Sequence, residues 1–132
     1  MTIQLGTTLR NARLDQVETT IGTSAVLQLR SGAQPADCAT ADSGTLLASI
    51  TLPVDWANNA AAGAKTKLGT WSGTGAAAGT IGHFRLKDSG LAATHMQGSC
   101  GIGSGDLSFD NTAITIGQAV TVNTFTMNEG NP

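Results

Sequence analysis

Residues 107–127 read LSFDNTAITIGQAVTVNTFTM, and their pattern decides the fold class. Leu107 and Phe109 share one parity, Ile114 and Ile116 the next, then Val120 and Val122, then Phe125 and Met127. Thr and Asn fill most of the positions between. Alternation with period two, carried by β-branched and aromatic residues, marks strands with one buried face. The reading is a hairpin followed by a long final strand. The parity slips between Val122 and Phe125, which predicts a bulge there.

Working outward, the whole chain is built for sheet. Its 132 residues amount to one domain by length and include 17 Gly, with only 12% charged residues and no Tyr. Abundant Gly and Thr with scarce Lys and Glu favour strands and turns over helix. A hydrophobic content of 40% is too high for a disordered chain. Net charge of -2 supplies no phosphate-seeking field, so no nucleic-acid partner is expected. No apolar run approaches a membrane span, and the start, MTIQLGTTLRNARLDQ, lacks the pattern of a secretory signal. Cytosolic synthesis follows, with Cys38 and Cys100 reduced in small apolar roles, although two distant cysteines can still meet across a sandwich.

Residues 2–6 alternate as an edge strand or an arm. Thr7 and Thr8 read as caps of one helix over residues 9–20, whose Leu14, Val17 and Ile21 form a narrow apolar stripe. Arg10, Arg13, Asp15 and Glu18 fill its other faces, and Gly22 is placed to end it in a left-handed conformation. So narrow a stripe requires the helix to pack on the sheet. Residues 25–30 form a strand with Ala25, Leu27 and Leu29 inside; 31–44 form a long loop; 46–52 form a strand with Ala48, Ile50 and Leu52 inside, ended by Pro53. Residues 54–65 read as a loop or a single helical turn, and 67–72 as a strand carrying Trp71. The tract GTGAAAG, 73–79, is expected to be a mobile loop. Residues 80–87 and 91–99 make a hairpin around Asp88-Ser89-Gly90, with Phe84 and Leu86 inside and Arg85 and Lys87 outside, and 100–106 is a Gly-rich loop. About eight short strands in one domain, residues 1–132, with 1–22 as arm and helix, predict a mainly β, antiparallel, jelly-roll-like sandwich with one short N-terminal helix.

Reactive constellations are scarce. His83 and His95 lie on the two hairpin arms. A two- or four-residue turn places them on opposite faces; a three-residue turn places them on one face, one step out of line. Neither arrangement supplies a third ligand, so no metal is expected. Asp37, Asp42, Asp55, Asp88 and Asp106 sit in turns, where carboxylates bond local backbone. The sequence lacks GxSxG, HExxH, a P-loop and a calcium loop, so no catalytic residue, cofactor or enzymatic activity is expected. Trp56 and Trp71 are read as buried caps, with sugar stacking as the alternative. The basic run RNAR, residues 10–13, is read as a solvated or partner-facing helix surface.

Four segments carry a resemblance: TTLRNARLDQVETTIG (7–22), SAVLQLRSGAQPADCATADSGTLLASITLP (24–53), GHFRLKDS (82–89) and the terminal stretch 107–127. Together they resemble small proteins encoded in the structural regions of tailed bacteriophages. The likeness covers most of the chain through overall pattern, without a site motif to carry over. It implies a virion component, a capsid decoration or cement protein bound to the outer head lattice, with the major capsid protein as partner and a homo-oligomer, dimer or trimer. The alternative is a tail- or fibre-associated module that binds host-surface glycans through Trp56 or Trp71. For the first, the arm-plus-helix start assigns the partner contact to Thr2, Ile3, Gln4, Leu5, Arg10 and Arg13.

Overall fold

The computed structural model describes residues 3–130. The fold is mainly β: a single-domain sandwich with one N-terminal helix and a large mixed sheet. The helix, α1, spans Thr7–Ile21, and the strands are β1 (Val26–Ser31), β2 (Leu46–Thr51), β3 (Ala64–Thr66), β4 (Ser72–Thr74), β5 (Gly79–Lys87), β6 (Thr94–Ile102), β7 (Leu107–Phe109), β8 (Ala113–Ile114), β9 (Ala119–Thr121) and β10 (Thr124–Asn128). The large sheet runs β2-β1-β5-β6-β7-β10-β3, β8 adds to β5, and β4 pairs with β9 in a second sheet. Every pairing is antiparallel except β6–β7, where Cys100 faces Leu107 in parallel register. That pair departs from an all-antiparallel jelly roll.

One core runs through the molecule, from Ile21 of α1 through Leu27, Leu29, Ile50 and Phe84 to Phe125. The predicted inner residues of β1 and β2 are all in it. β1 is also buried on its second face, where Gln28 lies beside Arg85 of β5, which in turn pairs with Gln97 of β6. Arg85 was expected outside, and the structure corrects this: it is 0% exposed. It does point away from the apolar core, but the long loop 32–45 folds back over that face. Its guanidinium donates to the carbonyls of Thr40 (2.8 Å), Cys38 (2.9 Å) and Asp37 (3.3 Å) and to the Asp42 carboxylate (2.8 Å). Gln97 Nε2 holds the Pro35 carbonyl at 2.9 Å. Alternation identifies a face; it does not say what covers it.

The terminal stretch is corrected more deeply. The structure breaks it into four short strands, β7 to β10, instead of a hairpin and a long strand. Polar side chains cause the breaks by taking local N–H groups: Asn111 Oδ1 accepts from Ala113, and Gln118 Oε1 accepts from Thr115. Ile116, predicted inside, lies in the second of these turns and is exposed. The parity slip after Val122 is a change of sheet rather than a bulge. Val122 N–H bonds Trp71 O at 2.9 Å, and Asn123 N–H bonds Ser108 O at 2.8 Å as the chain passes from β9 to β10.

Three smaller expectations also shift. Trp71 precedes β4 instead of sitting within a strand. The 73–79 tract is pinned: Gly75 donates to Gln118 O (2.7 Å) and accepts from Gly117, while Ala76 donates to Leu47 O (2.7 Å). A Cβ on Gly75 would collide with the Thr115 carbonyl, so the small residues permit close approach. The β5–β6 turn runs through 88–93, where the Asp88 carboxylate accepts from Ala92 (2.9 Å) and Ala93 (3.1 Å).

Because Arg85 satisfies three loop carbonyls and one carboxylate, Arg85→Ala should destabilise the fold by about 3 kcal/mol. Ser43→Ala in the same loop should cost under about 1 kcal/mol. Urea unfolding checks both, and equal costs would contradict the role given to Arg85.

Candidate partner interface

The helix begins without a side-chain cap. Gly6 occupies the N-cap position in extended conformation, and Thr7 and Thr8 lie inside the first turn, not at the cap. The far end matches expectation: Gly22 (φ 91°) closes the helix, its N–H bonding Glu18 O at 2.8 Å. Leu14 and Ile21 are buried, with Val17 packed at the margin of the core.

What fixes α1 in place is mainly polar. Asn11, Asp15 and Glu18 recur at spacings of four and three, so they line one face. That face meets residues 56–65. Asn11 Oδ1 accepts from Gly63 N–H (2.9 Å), Asp15 Oδ1 from Ala60 N–H (2.8 Å), and Glu18 Oε1 from both Trp56 and Ala57 N–H (3.2 Å each). Lys65 of β3, only 1% exposed, closes the network. Its ammonium donates to Asp15 Oδ1 (2.9 Å), Asn58 O (2.9 Å) and Glu18 Oε2 (3.1 Å). Burial opposes that charge, but the hydrogen bonds to Asp15 and Glu18 outweigh it and hold the Lys65 pKa above its ordinary value. The bond from Lys65, with the Ala60 N–H, holds the Asp15 carboxyl below the usual range. Asp55 shifts the other way, raised by its hydrogen bond with the Glu18 carboxylate. Asp15, Glu18, Asp55 and Lys65 line a surface recess of about 440 Å³.

The same helix joins the two ends of the chain. Arg10 Nη1 donates to Glu129 O at 3.1 Å, and Arg13 pairs with the Glu129 carboxylate at 2.7 Å. Of the residues assigned to a partner, Ile3 and Gln4 are exposed, Leu5 is half-buried, and Ile3–Gly6 form no strand. Arg10 is committed to Glu129 and to Thr7 Oγ1, whereas Arg13 keeps a 55% exposed side chain. Thr2 lies outside the described residues. Ile3 (81% exposed) and Leu9 (51% exposed) put apolar side chains in water at this end.

The remaining candidates turn inward or act locally. His83 is buried and its Nδ1 donates to Gly32 O at 3.0 Å, which fixes the tautomer. It faces Ser99 across the sheet, so His95 lies further along β6, 3.5 Å from Asp88 Oδ2 in the turn. The two imidazoles do not converge, and no group of three or more potential ligands is arranged for a metal among the described residues. Trp56 and Trp71 are 0% and 1% exposed and pack edge-to-face at 6.1 Å. Their indole N–H groups donate to Gly22 O, and to Trp56 O and Leu68 O. Neither ring offers a face to a sugar. Asp37, Asp88 and Asp106 bond local backbone as expected, but Asp42 gathers Arg30 (3.0 Å), Arg85 (2.8 Å) and Lys87 (2.7 Å). Both cysteines are free thiols; burial, with the Asp106 carboxylate, pushes Cys100 up to about 12. No helix among the described residues is long and apolar enough to cross a membrane.

The chain matches no family model, no curated protein and no solved structure.

Carboxylates held below their ordinary range stabilise the folded state above the unfolded pKa, and that contribution disappears as pH falls through the folded value. Asp15 and Asp42 are such groups; Asp55, raised, contributes in the opposite sense. With Asp37 and Asp88 lowered as well, four lowered groups against one raised predict a thermal midpoint that falls as pH drops below about 4. Asp15→Asn should flatten that fall. A midpoint constant or rising into acid would contradict the assignment.

Proposed function

We propose that the protein is a non-enzymatic virion component of a tailed bacteriophage, a decoration or cement protein on the outer head lattice. The observation that carries this reading is the N-terminal end: the exposed apolar side chains of Ile3 and Leu9, set beside a helix locked to the body. The sequence resemblance over most of the chain points to the same class. A lattice repeats its binding site many times, so a small apolar contact per copy suffices when copies act together. The partner is then the major capsid protein, contacted by Ile3, Gln4 and Leu9, with Arg13 at the margin and a dimer or trimer multiplying the contacts. The body resists distortion because its loops are bonded to buried side chains. Buried indoles remove the aromatic platform on which the glycan-binding alternative relied.

Purified heads lacking the protein can be titrated with wild-type chain and with Ile3→Asp/Leu9→Asp. Losing burial of one large aliphatic side chain corresponds to about tenfold weaker binding or more, so occupancy at a fixed concentration should drop sharply. Occupancy unchanged by the double substitution, in a variant with wild-type circular dichroism, would contradict this reading.

A further inference from the structure

The connection between α1 and β1 is four residues long, 22–25, and two of them have left-handed backbones: Gly22 (φ 91°) and Ser24 (φ 51°). In that region a Cβ crowds the following carbonyl, so Ser24 is held there by the elements on either side. On one side β1 is locked into the centre of the large sheet. On the other, α1 is held by its side-chain acceptors on residues 56–63 and by the Lys65 bridge.

Those bonds restrict how α1 can move. If α1 left its place, the N–H groups of Trp56, Ala57, Ala60 and Gly63 would lose the acceptors that α1 gives them, and Lys65 would lose both carboxylates. Orphaning several donors and a buried cation together is prohibitive. A second helix of the same sequence, however, supplies the same acceptors in the same positions. We propose that α1 is exchanged between two copies of this chain: residues 22–25 extend, and each helix docks on its neighbour's 56–65 segment, with Asp15 and Glu18 closing on the neighbour's Lys65. The exchanged dimer repeats the bonds that Asn11, Asp15 and Glu18 make to residues 56–65 and frees Ser24 from its left-handed conformation. Against this it loses the independence of the two copies and the Trp56 indole bond to Gly22 O in the extending connection. This inference does not depend on the virion reading.

The test is size-exclusion chromatography with light scattering on a variant lacking Thr23 and Ser24, whose connection is too short for α1 to fold back. The exchange predicts twice the 13.3 kDa chain mass with an undiminished helical signal. A monomer, with or without that signal, would overturn it. Adding Asp15→Ala and Glu18→Ala to the shortened chain should return it to a monomer; a dimer that survives them associates elsewhere and also overturns the proposal. Should the shortened chain fail to fold, the full-length protein decides. Refolded from urea at high concentration it should trap a dimer that is missing at low concentration and missing with Asp15→Ala/Glu18→Ala. A full-length chain that is monomeric at every refolding concentration would refute exchange.

Discussion

Main-chain N–H groups in a segment that forms no ladder still need acceptors once they leave water, and this requirement shapes the irregular part of the molecule. Residues 56–63 run between β2 and β3 with few strand partners of their own. α1 supplies what they lack, through Asn11, Asp15 and Glu18. The helix is therefore more than a lid over apolar surface. It buries only two residues outright, Leu14 and Ile21, and its position follows from where the donors are. Trp56 returns the favour at the other end: its indole N–H bonds Gly22 O, one of the carbonyls that a helix C-terminus leaves open.

Loop 32–45 solves the same problem with the opposite charge. Its exposed groups are carbonyls, and the acceptor-seeking partner is Arg85, with five fixed donors on a planar head. Ion pairs in low-dielectric surroundings gain stability only when every remaining donor is matched. Lys65 meets two carboxylates and a carbonyl and satisfies that condition; Arg85 matches its terminal Nη donors to three carbonyls and Asp42, while its buried Nε–H is left unpaired. The two buried cations sit on different segments, yet each converts a long connection into part of the body.

Much of this was legible in the sequence wherever a single side chain's parity or spacing governs the outcome. Leu27, Leu29, Ile50, Phe84 and Leu86 follow period two and lie in the core; Leu14 and Ile21 follow helical spacing; Gly22 ends the helix. What escaped depends on partners far along the chain. Arg85 alternates as an outward residue, and nothing local announces that loop 32–45 will cover it. Thr115 alternates as an outer strand position, and nothing local announces that its N–H and hydroxyl will bond the Gln118 side chain to make a turn. The docking face was visible in principle, since Asn11, Asp15 and Glu18 repeat at helical spacing beside the apolar stripe. A row of acceptors next to a buried stripe signals a helix packed on unpaired backbone, whereas Asp15 and Glu18 read only as filling the helix's other faces. Lys65 gave no such sign, because its burial is created by the helix that it binds.

Native-state hydrogen exchange on the amides of Trp56, Ala57, Ala60 and Gly63 tests the central claim most directly. If the carboxylates and the amide oxygen of α1 hold these protons, all four exchange slowly and with one common opening free energy, although three of the four residues lie outside any ladder. Rates typical of unprotected loops, measured while β1 and β5 remain fully protected, would show that the helix does not hold this segment and would contradict the account.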